Sequence, residues 1–87
     1  MEYPVLTPAQ LSRHLRSIRK ARGLTQAELG EKLGVHQARI GKIERDPGSV
    51  HVGQLMQLLG LLGVRLVLED TSSAREKSPR SNQAGSW

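Results

Sequence analysis

Residues 24–44 read LTQAELGEKLGVHQARIGKIE, and they predict two short helices joined by a tight turn. Thr25 is followed three residues later by Glu28, the spacing at which a hydroxyl and a carboxylate cap the same helix start. Gly34 tolerates the left-handed backbone that commonly ends a helix, so the first of the two has only about two turns. The second is predicted at Gln37–Glu44.

Apolar spacing gives each of these helices one inward face. Leu29 and Leu33 lie on the same side of the first helix, and Ile40 and Ile43 on the same side of the second. Two helices that cross closely need a small side chain at the crossing, and we expect Ala27 to supply it. Together these features form a helix-turn-helix pattern.

An amphipathic helix is predicted before this motif. Thr7-Pro8 opens it, combining a capping residue with a proline at the first helical position, and Gly23 ends it. Its apolar stripe consists of Leu11, Leu15 and Ile18. Its other face is basic and carries Arg13, Arg16, Arg19, Lys20 and Arg22. We expect the last three of these to form a solvated surface.

A fourth helix is predicted at Val52–Leu62, with a core-facing set of Leu55, Met56, Leu58, Leu59 and Leu62. Val64–Glu69 then alternates in part and is β-branched, which favours a strand. Because one strand leaves its backbone groups unpaired, we expect it to pair with its copy in a two-fold dimer. The predicted dimerisation residues are Val64, Leu66, Val67 and Leu68. The alternative is that residues 64–69 extend the fourth helix.

The chain divides into a folded domain at 1–69 and a polar tail at 70–87. The tail contains no Leu, Ile, Val or Met, so it cannot bury enough apolar surface to offset the entropy of ordering it. We therefore predict a disordered tail. Trp87 ends it, and this side chain is either incidental or an anchor for a partner.

Composition excludes several classes of protein. The 87 residues carry a net charge of +5 and contain no Cys, which rules out disulfides, thiolate zinc sites and a thiol nucleophile. The longest apolar stretch, at 55–68, is too interrupted to span a membrane, and Met1–Gln10 lacks a signal-peptide pattern. We expect a cytoplasmic protein with no metal and no cofactor. A dimer would carry twice this positive charge, which favours a polyanion as partner.

The spacing from Thr25-Gln26 through Leu33-Gly34-Val35 to Ile43-Glu44 resembles the phage-repressor type of helix-turn-helix, the XRE or Cro/CI family. The resemblance implies an all-α, lambda-repressor-like bundle of four to five short helices, whose third helix lies in the major groove of DNA. His36 stands where this family usually has a Ser, Thr or Asn cap. The implied DNA-binding residues are Gln26, His36, Gln37, Ala38, Arg39 and Lys42.

The resemblance also implies a chemistry for these residues. The amide of Gln37 would pair with N6 and N7 of adenine, and Ala38 would pack on a thymine methyl. Arg39 and Lys42 would contact guanine O6 and N7, or phosphate. Gln26 would contact phosphate at the start of the second helix, where backbone N–H groups favour anions.

Over nearly its whole length the chain resembles HipB-type antitoxins. Three features carry this resemblance: the N-terminal segment Thr7–Leu11, the single predicted strand at 64–69 and the tail ending in Trp87. It implies a dimer at the nucleoid that binds operator DNA, represses its own operon and inhibits a HipA-type serine/threonine kinase toxin, with Trp87 as a toxin contact. The alternative is a free-standing phage- or plasmid-type repressor with no toxin partner.

An enzyme fits the sequence poorly. His14, His36 and His51 are scattered, and Glu28 and Glu44 have structural explanations at a helix start and a helix end. No glycine-rich phosphate loop, metal-ligand spacing or nucleophile–base pair is present. A protein-binding adaptor without DNA contact is disfavoured by the DNA-facing residues named above.

Overall fold

The computed structural model describes residues 2–72, and the regular structure within them is helical. The helices are α1 at Pro8–Ala21, α2 at Gln26–Leu33, α3 at Gln37–Arg45 and α4 at Val52–Leu61, with a short 3-10 helix at Pro47–Ser49. The predicted all-α bundle of four short helices is confirmed. No helix in this part of the chain is long and apolar enough to cross a membrane.

Paired side-chain caps fix where α1 and α2 begin. The Thr7 hydroxyl accepts from the Gln10 N–H at 3.2 Å, and Gln10 Oε1 accepts from the Thr7 N–H at 3.2 Å. At α2 the Thr25 hydroxyl accepts from the Glu28 N–H at 3.0 Å, while Glu28 Oε1 accepts from the Thr25 N–H at 2.9 Å. Each pair satisfies two donors that a helix start leaves without intrahelical partners. The capping box predicted at Thr25 is confirmed.

The core is aliphatic and draws on all four helices, through Leu15, Ile18, Leu29, Ile40, Ile43, Leu55, Leu58, Leu59 and Leu62. The prediction that Met56 belongs to this core is wrong, because its side chain is 51% exposed. Leu55, Leu58 and Leu62 already form the inward stripe of α4 at intervals of three and four residues. Met56 lies about 100° around the helix from Leu55 and therefore faces away.

Gly30, and not Ala27, is the small residue at the contact between α2 and the turn. Ala27 is exposed, whereas Gly30 is buried. A Cβ atom on Gly30 would lie 2.7 Å from the Val35 carbonyl oxygen, closer than real Cβ atoms approach. The Gly30 carbonyl also accepts from the N–H groups of Gly34 and Val35, at 2.8 and 2.9 Å. The absence of a side chain at Gly30 thus lets the turn close tightly before α3.

The expectation of a solvated basic face on α1 is wrong at Arg19, which is only 8% exposed. Its Nε lies 2.5 Å from Oε2 of Glu44, a residue that is 1% exposed. A long arginine side chain can start beside an apolar stripe and still carry its charge inward to a partner. Lys20 and Arg22 are exposed, as expected. Arg22 also donates from Nε to the Leu62 carbonyl at 2.9 Å, which satisfies an acceptor just past the end of α4.

The chain leaves the axis of α4 at Gly63, whose φ of 79° lies in the left-handed region. The Val64 N–H then donates back to the Leu59 carbonyl at 2.9 Å. This turn excludes the alternative that residues 64–69 extend the fourth helix.

Apart from the Val64–Leu59 hydrogen bond of this turn, residues 64–69 make no backbone hydrogen bond with the rest of the described chain. Val64 packs on the core, whereas Leu66, Val67 and Leu68 are exposed, the last of them by 91%. The predicted strand needs a second copy for its backbone hydrogen bonds, and it stays a prediction. The predicted disordered tail falls outside the described residues from position 73 onward, and Trp87 with it.

Candidate nucleic-acid interface

α3 presents a polar face to solvent. Ile40 and Ile43 are fully buried against the rest of the bundle, so the opposite side of the helix points outward. We call that side the outer face; it consists of Ala38, Lys42 and Arg45, all exposed. An exposed, continuous helix face of this kind is the part of a helix-turn-helix that can enter a DNA groove.

Four of the predicted DNA-binding residues are exposed on α3 or at its start: His36, Gln37, Ala38 and Lys42. The structure therefore brings them together along one short stretch of surface. Sequence reasoning missed Arg45, although its spacing of three residues from Lys42 placed it on the same face.

His36 caps α3 with its imidazole ring. Its backbone is extended, and Nδ1 accepts from the Ala38 N–H at 3.0 Å. The ring thus does the work of the Ser, Thr or Asn that usually stands at this position. A ring nitrogen accepts a hydrogen bond only when it carries no proton, so the cap requires Nδ1 to be unprotonated. The helix starts at Gln37 as predicted, which fixes which side chains occupy its first turn.

Gln26 lies at the first position of α2 and is half-buried. Its Nε2 donates to Oε1 of Glu44 at 3.1 Å. The amide is therefore held against the end of α3 instead of swinging freely. This contact fixes the start of α2, with its unpaired N–H groups, relative to the outer face.

A buried polar cluster joins α1 to α3 behind the outer face. Arg19 donates to both carboxylate oxygens of Glu44, from Nε to Oε2 at 2.5 Å and from Nη2 to Oε1 at 3.3 Å. Arg19 Nη1 also donates to the Leu24 carbonyl at 2.8 Å, and the Ser12 hydroxyl donates to the Glu44 carbonyl. A two-pronged guanidinium–carboxylate contact is geometrically specific, so this cluster sets the angle between α1 and α3.

Arg39 is half-buried and faces α4 more than the outer face. Its Nε and Nη2 donate to Oε1 of Gln54, at 2.9 and 2.6 Å. Gln54 lies in the first turn of α4. No motif in the sequence pointed to Gln54, because its contact with Arg39 depends on how α4 packs across α3.

The outer face is positively charged. Lys42 and Arg45 are its ionised side chains, while Glu44, the one acid on α3, is buried and paired with Arg19. A cationic helix face without an exposed acid attracts a polyanion. Within residues 2–72, no three His, Asp or Glu side chains come together as metal ligands would.

The helix-turn-helix family HTH_3 matches residues 15–68 of the chain. The antitoxin HipB of Escherichia coli is 30% identical over 74 residues, which make up 85% of this chain and 84% of that protein. HipB of a second Escherichia coli strain is 30% identical over 70 residues, or 80% of this chain and 74% of the relative.

Solved structures of HipB share this fold. A single-residue variant of HipB in complex with an O2 20mer has a TM-score of 0.74 at 30% identity, covering 82% of this chain and 99% of that one. The HipA–HipB–O2–O3 complex contains a chain with a TM-score of 0.71 at 31% identity, covering 78% of this chain and 96% of its own. Both likenesses extend over most of the helical domain.

Proposed function

We propose that this chain, which belongs to the HipB-type antitoxins of the DNA-binding helix-turn-helix family, is a transcriptional repressor. In this proposal its α3 reads operator bases in the major groove. The outer face of α3 carries this proposal. Ala38 and Lys42 lie on it, opposite the buried Ile40 and Ile43, and no exposed acid stands among them. The first turn of a recognition helix is the part that reaches base edges in this class.

Each of the predicted DNA-binding residues has a chemistry that suits a base or a phosphate. Gln37 would accept from N6 and donate to N7 of an adenine, and Ala38 would pack on a thymine methyl. Lys42 and Arg39 would donate to guanine or to phosphate. Gln26 would meet phosphate at the start of α2. His36, which caps α3, would lie at the groove edge.

The functional unit in this proposal is a homodimer. The exposed Leu66, Val67 and Leu68 support it, because a second copy would bury them and pair their backbone groups. Two copies carry twice the net charge of +5. A two-fold dimer reads a pseudo-palindrome, with half-sites about 34 Å apart. Its affinity should fall steeply as salt rises, with a logarithmic slope of about −0.9 for each phosphate neutralised.

Substituting both Gln37→Ala and Arg39→Ala is expected to relax base preference by roughly 1–3 kcal/mol for each lost bidentate contact. Competition binding at fixed salt measures this, using a site selected from random DNA by the wild-type protein and its single-base variants. Gln57→Ala is the control, since Gln57 is exposed on α4 outside the proposed interface. If the double variant ranks the single-base variants of the site by affinity as the wild type does, Gln37 and Arg39 do not read bases.

The proposal extends to an antitoxin role. The curated relatives are named antitoxin HipB, and one similar structure is a complex of HipA with HipB. By analogy, this chain would repress its own operon and neutralise a HipA-type serine/threonine kinase toxin in the cytoplasm, bound to the nucleoid. The tail with Trp87 would be one of its toxin contacts.

Pull-down from the native host tests the antitoxin role, with the full chain and a version ending at Glu69 as paired baits. We expect the full chain to retain a kinase-sized protein, and the short version to lose it. A third bait, Trp87→Ala in the full chain, separates the indole from the rest of the tail. If every bait retains DNA but no kinase, the protein is a plain repressor and the antitoxin role is wrong.

A further inference from the structure

Gln54 holds one edge of the Arg39 guanidinium and leaves another edge open. A guanidinium has five N–H donors arranged as a planar fork. Gln54 Oε1 accepts from Nε and from Nη2, which lie side by side along one edge. The two terminal nitrogens, Nη1 and Nη2, keep their remaining N–H groups, and the Arg39 side chain makes no other hydrogen bond within residues 2–72.

The partner of Arg39 is neutral, and this matters for what the open edge can bind. A carboxylate at the same place would cancel the positive charge, as Glu44 does for Arg19. An amide oxygen orients the guanidinium and leaves its charge intact. The amide nitrogen of Gln54 adds hydrogen-bond donors beside the guanidinium. Arg39 and Gln54 together therefore present only donors to a ligand that is rich in acceptors.

Fixing an arginine before binding also raises its contribution to affinity. A free arginine side chain loses much rotamer freedom when it is immobilised on a ligand. Arg39 has already lost part of that freedom, because Gln54 anchors it from the first turn of α4. Its open edge is thus pre-arranged at the flank of the outer face.

We infer that Gln54 is a positioning residue for DNA recognition, a role that rests on the proposed function. It fixes Arg39 so that Nη1 and Nη2 meet two adjacent acceptors of the operator. Guanine N7 with O6 and two oxygens of one phosphate have this geometry in common. In either case α4 takes part in recognition through Arg39, without itself entering the groove.

A double-mutant cycle on the selected operator site tests this role. Gln54→Leu keeps the approximate size of the side chain and removes the acceptor; we expect it to weaken binding about tenfold. Arg39→Ala should weaken binding at least as much, and the double variant should bind like Arg39→Ala alone. Gln57→Leu, one turn along α4, is the matched control and should bind as the wild type does. The two leucine variants should unfold at the same temperature. This result would show that Gln54→Leu weakens binding through the position of Arg39 and not through a loss of stability.

The same variants distinguish the two kinds of acceptor. If Arg39 meets guanine, its loss weakens binding only to sites that carry that base pair. If it meets phosphate, binding weakens alike on all sequences and the salt slope falls by about 1.

Three results would overturn the inference. Unchanged affinity in Gln54→Leu would show that Arg39 needs no anchor. Tighter binding would show that Gln54 holds Arg39 away from DNA. Additive losses in the double variant would show that the two residues act separately. The wild-type protein is measured first: if it binds no DNA, the proposed function itself fails, and this inference fails with it.

Discussion

Replacing Glu44 with alanine is expected to destabilise the folded domain by about 3–5 kcal/mol. The substitution leaves the Arg19 charge buried, at 8% exposure, without its carboxylate. It also removes the acceptor of the Gln26 amide. Urea unfolding measures the difference, with wild type and variant at one protein concentration because dimerisation would couple to stability.

Two further variants show whether the loss comes from the orphaned charge. Arg16→Ala removes an exposed arginine from α1 and should change stability by no more than about 0.5 kcal/mol. Combining Arg19→Met with Glu44→Leu removes both buried charges together, and most of the stability should return. A cost below about 1 kcal/mol for Glu44→Ala would match an exposed ion pair and contradict this packing.

Introducing proline at both Leu66 and Val67 is expected to convert the proposed dimer to a monomer and to weaken operator binding by at least about 100-fold. Neighbouring N–H groups point to opposite sides of a strand, so two consecutive prolines remove a donor from whichever side faces the second copy. Sedimentation analysis measures the assembly state, and binding to the selected operator site measures the affinity.

The helices should survive this change, because residues 66 and 67 lie beyond α4 and are exposed. Far-ultraviolet circular dichroism checks that their signal is retained. Ser72→Pro, placed after the predicted strand, is the matched control and should stay dimeric. A double-proline variant that also stays dimeric would rule out pairing through residues 64–69.

Local sequence signals predicted the helix boundaries well. The capping box at Thr25 and Glu28 involves residues three apart, and the hydrogen bonds that it implies are present. Gly34 adopts a φ of 85°, as a helix-ending glycine should. Such signals succeed because the interacting groups are neighbours in the chain and need no knowledge of packing.

Predictions that depended on how the helices pack against one another were less accurate. Ala27 was expected at a close contact that Gly30 makes instead, although the two residues are only three apart. Arg19 was expected in solvent, yet it pairs with an acid that lies 25 residues along the chain. Apolar spacing identifies the stripe that faces the core, but not how far a long charged side chain beside that stripe reaches inward.

The predictions for the candidate interface also divide into those that depend on neighbours in the sequence and those that depend on helix packing. Residues at the start of α3 were predicted as a group because the resemblance to the XRE family implies them and they are consecutive in the sequence. Gln54 was missed because its contact with Arg39 spans 15 residues and two helices. The predicted strand at 64–69 stays a prediction, because its hydrogen bonds would require a second copy of the chain and a single chain cannot display them.

Selection from randomised duplex DNA by the purified protein tests most directly whether α3 reads bases. We expect enrichment of one pseudo-palindrome, with half-sites about 34 Å apart that the protein protects in the major groove. We also expect Gln37→Ala to select a site altered at the matching position of each half. A pool that shows no enrichment at low salt, or an identical site chosen by Gln37→Ala, would contradict base reading by this helix.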